Sequence, residues 1–177
     1  MKRTIKLRAL TKQDIDKTLL WHQQDDIRDL YFGHPYPVNQ EMEELWYAKI
    51  LTSNIPTTVF GVEEVETQLL IGITMLKNIN LVNRNAEFAI YIGDVSKRGK
   101  GYSKQATLQT IKFAFYSLGL NRIFLKVLER NTIAVELYKK VGFIKEGLIR
   151  QSIFKNNKFE NELLMSILKE EFTPNEL

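Results

Sequence analysis

The chain has 177 residues, of which 44% are hydrophobic and 11% aromatic, enough for one domain with its own core. It has no cysteine, which excludes disulfides, thiolate metal sites and cysteine nucleophiles, and its only histidines are His22 and His34, too few for a His-rich metal centre; no metal is expected. The formal net charge is +4, from 25 basic and 21 acidic residues, a mild attraction for an anionic ligand.

The basic residues are spread among acidic ones with no long basic block, so nucleic acid is not an expected partner. No stretch approaches the roughly 20 apolar residues of a membrane span. The opening residues turn straight into alternation and lack the apolar run of a signal peptide, so a cytoplasmic protein with no membrane partner is expected.

Residues 5–10 alternate and predict a first strand with one wet face. Thr11, three before Asp14, forms a weak capping box that opens a first helix toward Trp21 and His22. Residues 32–37, with Pro35 and Pro37, cannot continue a helix. A second helix is predicted over residues 40–51. Residues 57–62 and 69–76 read as a hairpin, residues 78–85 as a turn rich in asparagine, and residues 86–92 as a further strand.

The pattern then changes. Leu108, Ile111, Phe115 and Leu118 recur at helical spacing and Gly119 follows, predicting a helix over residues 104–118. Residues 122–128 predict a buried strand, with Ile123, Leu125 and Val127 facing one way. Residues 132–141 predict a short helix stopped by Gly142, with Ile133, Leu137 and Val141 on its core face. Strands near residues 143–154 and 162–168 close the chain. About seven strands and four helices, hairpins first and strand–helix alternation later, give an α/β (α+β) domain over residues 1–172 and a loose tail over residues 173–177.

Arg98, Gly99, Lys100, Gly101, Tyr102 and Ser103 lie between an apolar strand and an amphipathic helix. Glycines there permit positive φ and close ligand approach, and the following helix offers unpaired amides and the positive end of its dipole. Lys97 and Lys104 add charge. The run lacks the Gly-Lys-Ser/Thr ending of a nucleoside-triphosphate loop, and Lys104 stands where a dinucleotide fingerprint has its third glycine. On composition alone it is equally a surface turn solvated by lysines. Thirty residues after Gly101, Asn131 ends a strand, either as an N-cap or as a partner for a ligand amide. Tyr138 shares a helical line with Ala134, either as a half-buried aromatic or as a hydroxyl facing a ligand. These residues together point to a nucleotide-like ligand in a strand–helix crevice and to no particular reaction.

The combination resembles the GNAT N-acetyltransferase family, in its ribosomal-protein and spermidine acetyltransferase branch. Arg98, Gly101 and Ser103 occupy the places of the family's Gln/Arg-x-x-Gly-x-Gly/Ala pattern, with Ser103 a departure from the small apolar residue. Residues 83–88 resemble the entry to its fourth strand. Asn131, Ala134, Tyr138, Gly142 and Phe143 match its Asn, Ala and Tyr-x-x-x-Gly-Phe features, and Gly147 with residues 164–168 its ending.

The resemblance implies a mixed, mostly antiparallel sheet splayed between the strand ending near Ile92 and the strand from Arg122. It also implies acetyl-CoA as cosubstrate and an amine as acceptor, with direct attack of the neutral amine on the thioester. The backbone of Ile90, Tyr91 and Ile92 would pair with pantetheine, amides of residues 98–103 would hold the pyrophosphate, and a β-bulge in residues 86–92 would help splay the sheet. Tyr138 is the expected acid for the departing thiolate and Glu87 the expected base, although Glu87 is equally a structural carboxylate. Neither histidine has a visible carboxylate orienter. Glu41, Glu43 and Glu44 read either as an attraction for a polyamine or as an exposed acidic helix face.

Within the resembling branch, Gly33 and His34 replace an acidic pair that often precedes Pro-Tyr. A protein N-terminus, a polyamine, another small amine, an amino sugar and an aminoglycoside all stay open as acceptors. The family admits a homodimer. The alternative of a different class is a non-catalytic module binding CoA, a nucleotide or nucleic acid, against which stands the lack of an aromatic-basic strand motif or a C₂H₂ pattern.

Overall fold

A computed structural model describes residues 4–31, 36–52 and 57–173. Residues 32–35, which carry most of the expected helix-breaking connection and include Gly33 and His34, lie outside the described residues, as do residues 174–177 of the expected tail.

One sheet of seven strands organises the described residues, in the order β1-β2-β3-β4-β5-β7-β6. Its strands are β1 (Ile5–Ala9), β2 (Thr58–Glu64), β3 (Leu70–Asn80), β4 (Asn85–Ile92), β5 (Arg122–Leu128), β6 (Ile144–Lys155) and β7 (Lys158–Leu168). All neighbours are antiparallel except β4 and β5, which are parallel. The helices are α1 (Ile15–His22), α2 (Asp25–Tyr31), α3 (Gln40–Thr52), α4 (Tyr102–Tyr116) and α5 (Thr132–Val141).

Most elements follow the sequence pattern. The expected capping box forms: Asp14 Oδ2 accepts from the Thr11 backbone at 2.8 Å and from its hydroxyl at 3.0 Å. It opens a 3-10 turn (Lys12–Asp14) before α1. Asn131 caps α5, its Oδ1 accepting from the Ala134 amide at 3.2 Å, and Gly142 ends that helix at φ 107°. Three departures have local causes. α2 is an extra helix of 7 residues, too short for a periodic apolar stripe. β3 and β7 run longer than their apolar cores because their polar ends still pair. Ile133 is 86% exposed: α5 turns Ala134, Val135, Tyr138 and Val141 inward, so the core line lies one residue round from the expected one.

The sheet separates two apolar layers. On one side Phe88, Ile90 and Ile92 of β4 pack with Ile111 and Phe115 of α4 and with Val135 and Tyr138 of α5. On the other, Tyr91 and Ile73 pack with Trp21 of α1, Ile27 of α2 and Trp46 of α3. Each fully buried large side chain contributes about 1.5–3 kcal/mol. The alternation along β4 therefore decides which groups face which helices: Glu87, Ala89 and Tyr91 share the face toward α1 and α3.

Among the described residues no helix is long and apolar enough to cross a membrane.

Candidate active site

β4 and β5 pair only from Asn85↔Arg122 to Glu87↔Phe124. Beyond Glu87 the two strands part, while β4 stays paired with β3 and β5 with β7. The backbone of Ile90, Tyr91 and Ile92 is thus left without a strand partner on the β5 side. The bulge expected in residues 86–92 is not there; the irregularity lies on the neighbouring strand. The register shift lies between Lys77 and Asn80 of β3, where Asn78 has φ 52°, and β4 pairs regularly from Glu87 to Ile92. A residue in left-handed conformation can be absorbed in β3 because the strand is bending into its turn there.

The fork encloses a cavity of about 350 Å³. Its walls include consecutive residues of β4, from Glu87 to Tyr91, and Lys126, Val127 and Leu128 of β5, so it opens between the strands and reaches both faces of the sheet. Asn131, Ala134 and Tyr138 line it from α5, Leu30 and Trp46 from α2 and α3, and Lys155 and Glu162 from the β6–β7 hairpin.

The Tyr138 ring meets Phe88 and Phe143 edge-on, at centroid distances of 6.3 and 5.6 Å. It is 5% exposed, a position fixed by packing. Glu87 lies at the other side of the fork, 2.9 Å from Lys77 Nζ and within 3.3 Å of Asn78 Nδ2. The structure therefore brings Tyr138 and Glu87 to one cavity from opposite faces of β4.

At the C-terminal end of β4, residues 98–103 turn into α4. Gly99 and Gly101 have φ 74° and 81°, and nothing lies within 4 Å of where a side chain would begin at either. Gly99, Lys100 and Gly101 are exposed, and Gly101 is the N-cap of α4. The opening amides of α4, including those of Tyr102 and Ser103, begin beside this open turn. A helix N-terminus approached through glycine suits two linked phosphates, and the unpaired edge of β4 suits an amide-bearing chain running from them into the fork. The residues present fit acetyl-CoA.

The side chains of the turn are used differently from the expected cationic cluster. Arg98 Nε donates to the Ile92 carbonyl at 2.9 Å, and its guanidinium pairs with Asp26 and approaches Gln24. Lys97 Nζ lies 2.6 Å from Glu64, which also accepts from Tyr102. Arg98 and Lys97 thus brace the turn against α2 and β2, and the amides and Lys100 remain for the ligand.

α2 is also held at its far end. Lys155 Nζ donates to the Arg28 carbonyl at 2.9 Å and to that of Asp29, and Arg130 pairs with Asp29 at 2.8 Å. Burial pushes the Lys155 ammonium below its ordinary value.

Two groups depart most from expectation. Glu43 is 1% exposed, its carboxylate 2.7 Å from His22 Nδ1, so the acidic face of α3 is limited to Glu41 and Glu44 and His22 does have a carboxylate orienter. The Tyr91 side chain bonds His22 as well, at 2.8 Å, beyond the backbone role expected of it. A signal existed for Glu43: with Trp46 and Ile50 it stands at i, i+3, i+7, on the apolar stripe of α3.

An acetyltransferase (GNAT) domain model matches residues 4–144. The spermidine N(1)-acetyltransferase of Vibrio cholerae serotype O1 is 32% identical over 172 residues, 97% of each chain. That of Escherichia coli K12 is 28% identical, over 96% of this chain and 88% of its own. The crystal structure of spermidine N-acetyltransferase from Vibrio cholerae in complex with CoA and spermine aligns with a TM-score of 0.88 at 30% identity, covering 95% of this chain and 97% of that one. A dodecameric structure of the Vibrio cholerae protein aligns at 0.80 with 31% identity, over 94% and 95% of the two chains.

Proposed function

Because the chain belongs to the GNAT acetyltransferase family, and so is an acetyl-CoA-dependent N-acetyltransferase, we propose that its acceptor is a polyamine of the spermidine class. The observation that carries this reading is the fork between β4 and β5, which joins an exposed amide turn to a cavity holding both Tyr138 and Glu87.

The amides from Arg98 to Ser103, with Gly99, Lys100, Gly101 and Tyr102 between them, hold the pyrophosphate. The backbone of Ile90, Tyr91 and Ile92 and the side chain of Asn131 bind the pantetheine arm. Bound acetyl-CoA supplies a thioester carbonyl as electrophile. The chain's contribution is mainly to align that carbonyl with the amine, with a β4 amide facing the carbonyl oxygen. Tyr138 gives a proton to the departing sulfur, and Glu87 takes one from the acceptor ammonium. Glu87 and Glu162 are the acidic groups of a cavity wall that also carries Lys77, Lys126 and Lys155, so the polyamine reading rests on the relatives and not on the charge of the wall.

Copies of the chain associate, a reading supported by the dodecamer formed by the Vibrio cholerae relative and by the exposed Phe154 and Phe159 of the β6–β7 hairpin. Sedimentation tests it, and a monomer at all concentrations would end it.

Turnover of labelled acetyl-CoA against spermidine, spermine, short peptides, amino sugars and an aminoglycoside tests the acceptor. Saturable acetylation of the polyamines is the expected result. Acetylation confined to the peptides or the sugars would overturn the assignment.

A further inference from the structure

Lysines 77, 126 and 155 all line the cavity, and the structure uses them unequally. Lys77 Nζ lies 2.9 Å from Glu87, and Lys155 Nζ is occupied by the Arg28 and Asp29 carbonyls. Lys126 is exposed and, among the described residues, its side chain has neither a hydrogen bond nor an ion pair. The wall therefore carries a primary amine that no group of the described residues claims.

Its place follows from the strand. Glu87 and Phe124 form the last rung between β4 and β5, so Lys126 stands two residues up the open fork, about 6–7 Å beyond that rung. Its neighbours Leu125 and Val127 are buried in the apolar layer under α4 and α5. Alternation then turns Lys126 to the opposite face, the one that Glu87, Ala89 and Tyr91 share. Tyr138 lines the cavity from α5, on the other side of the sheet. A thioester lying in the fork thus has the proposed acid for its sulfur on one face and an amine on a flexible stem on the other. Acetyl transfer asks the same placement of an incoming acceptor, and an amine fixed to the wall has it without having to diffuse in.

We propose that Lys126 is an acetylation site of the enzyme itself, modified within its own cavity by bound acetyl-CoA when no acceptor is present. The Lys126 ammonium, exposed to water, releases one proton to solvent. The neutral nitrogen then attacks the thioester carbon: the C–N bond forms, the C–S bond breaks, and the sulfur departs with the electron pair of that bond. A second nitrogen proton ends on the sulfur, leaving an amide on Lys126 and free CoA. Nothing is oxidised or reduced. The amide is neutral, so the modification removes from the wall the lysine charge that nothing among the described residues holds. The inference rests on the acetyl-transfer reading with the thioester in the fork, and is independent of which amine is the acceptor.

The test uses the wild-type full chain with acetyl-CoA, in a buffer without primary amines. Peptide mass spectrometry follows the acetylation of each lysine over time. Lys145 is the reference, an exposed lysine of β6 away from the cavity wall. Lys126 is expected to be acetylated about tenfold or more faster than Lys145. The fraction modified should not depend on protein concentration, and excess CoA should protect Lys126. Equal rates at the two lysines would overturn the inference, as would a Lys126 rate that rises with protein concentration or is indifferent to CoA. Calorimetry of acetyl-CoA binding on the same preparation separates the possible failures. Binding with Lys126 unmodified ends this inference and leaves the acetyl-transfer reading standing, whereas no binding ends both. If Lys126 is acetylated but no polyamine of the panel is, the polyamine assignment fails and the self-acetylation stands.

Discussion

The Tyr102 hydroxyl donates to Glu64 Oε1 at 2.5 Å, tying the first residue of α4 to the end of β2. Lys97 Nζ reaches the other oxygen of Glu64 at 2.6 Å, so a single carboxylate grips the glycine turn on both flanks. The hydrogen bond from Lys97, then those from Thr67 and Tyr102, hold the Glu64 carboxyl down at about 2. That lies below the unfolded value of about 4.3, so its stabilising contribution is complete above that value and fades as pH falls toward the folded one. Denaturation curves of wild type and Glu64→Gln should therefore differ most at neutral pH and converge in acid, and the Gln variant should bind CoA more weakly. A stability gap that stays constant through the acid range would show that Glu64 is not the group responsible.

Gly101 stands at φ 81° with open space around it, so alanine there meets backbone strain and no clash. Gly101→Ala should cost only about 1 kcal/mol in stability. Its Cβ would stand in the approach to the α4 amides, so the CoA dissociation constant should rise about tenfold or more. Calorimetry and chemical denaturation on one preparation separate the two effects. Unchanged CoA affinity would place the pyrophosphate elsewhere.

Tyr138 is held by its ring, against Phe88 and Phe143, so Tyr138→Phe keeps the packing and removes only the hydroxyl. The variant should lose about a hundredfold in kcat while binding acetyl-CoA as wild type does. Equal kcat across the pH range would exclude the hydroxyl as the acid.

Gly93 follows β4, and a Cβ added to it would lie 1.9 Å from Cδ2 of Trp21. Neither ring nor strand can yield easily, because Trp21 is 4% exposed and wedged between α1 and the sheet. Gly93→Ala should cost about 1–3 kcal/mol and shift the tryptophan emission. A variant with wild-type stability and spectrum would mean that α1 moves freely on the sheet.

The glycine turn illustrates how far pattern alone reaches. The left-handed backbone at Gly99 and Gly101, the cap at Asn131 and the inward line of Ala134 and Tyr138 were legible because each is a local property of the chain. The roles of Lys97 and Arg98 were not legible. Their charge suggested a shared anion site, whereas Glu64 and Asp26, 33 and 72 residues away, claim both side chains. Ile133 failed for a related reason. Periodicity gives the width of an apolar stripe, but the docking angle of α5 on the sheet decides which edge of it is covered.

The sequence by itself determined the order of elements, the turn that opens α4 and the residue types lining one strand, since these depend on backbone preferences within a few positions. Only the tertiary structure decided that β4 and β5 separate after Glu87, and that Glu43 is buried against His22. Both depend on elements distant along the chain arriving together: the His22–Tyr91 bond spans 69 residues. A charge on an apolar stripe is satisfied or not according to what the opposite surface offers, and no local spacing encodes that surface.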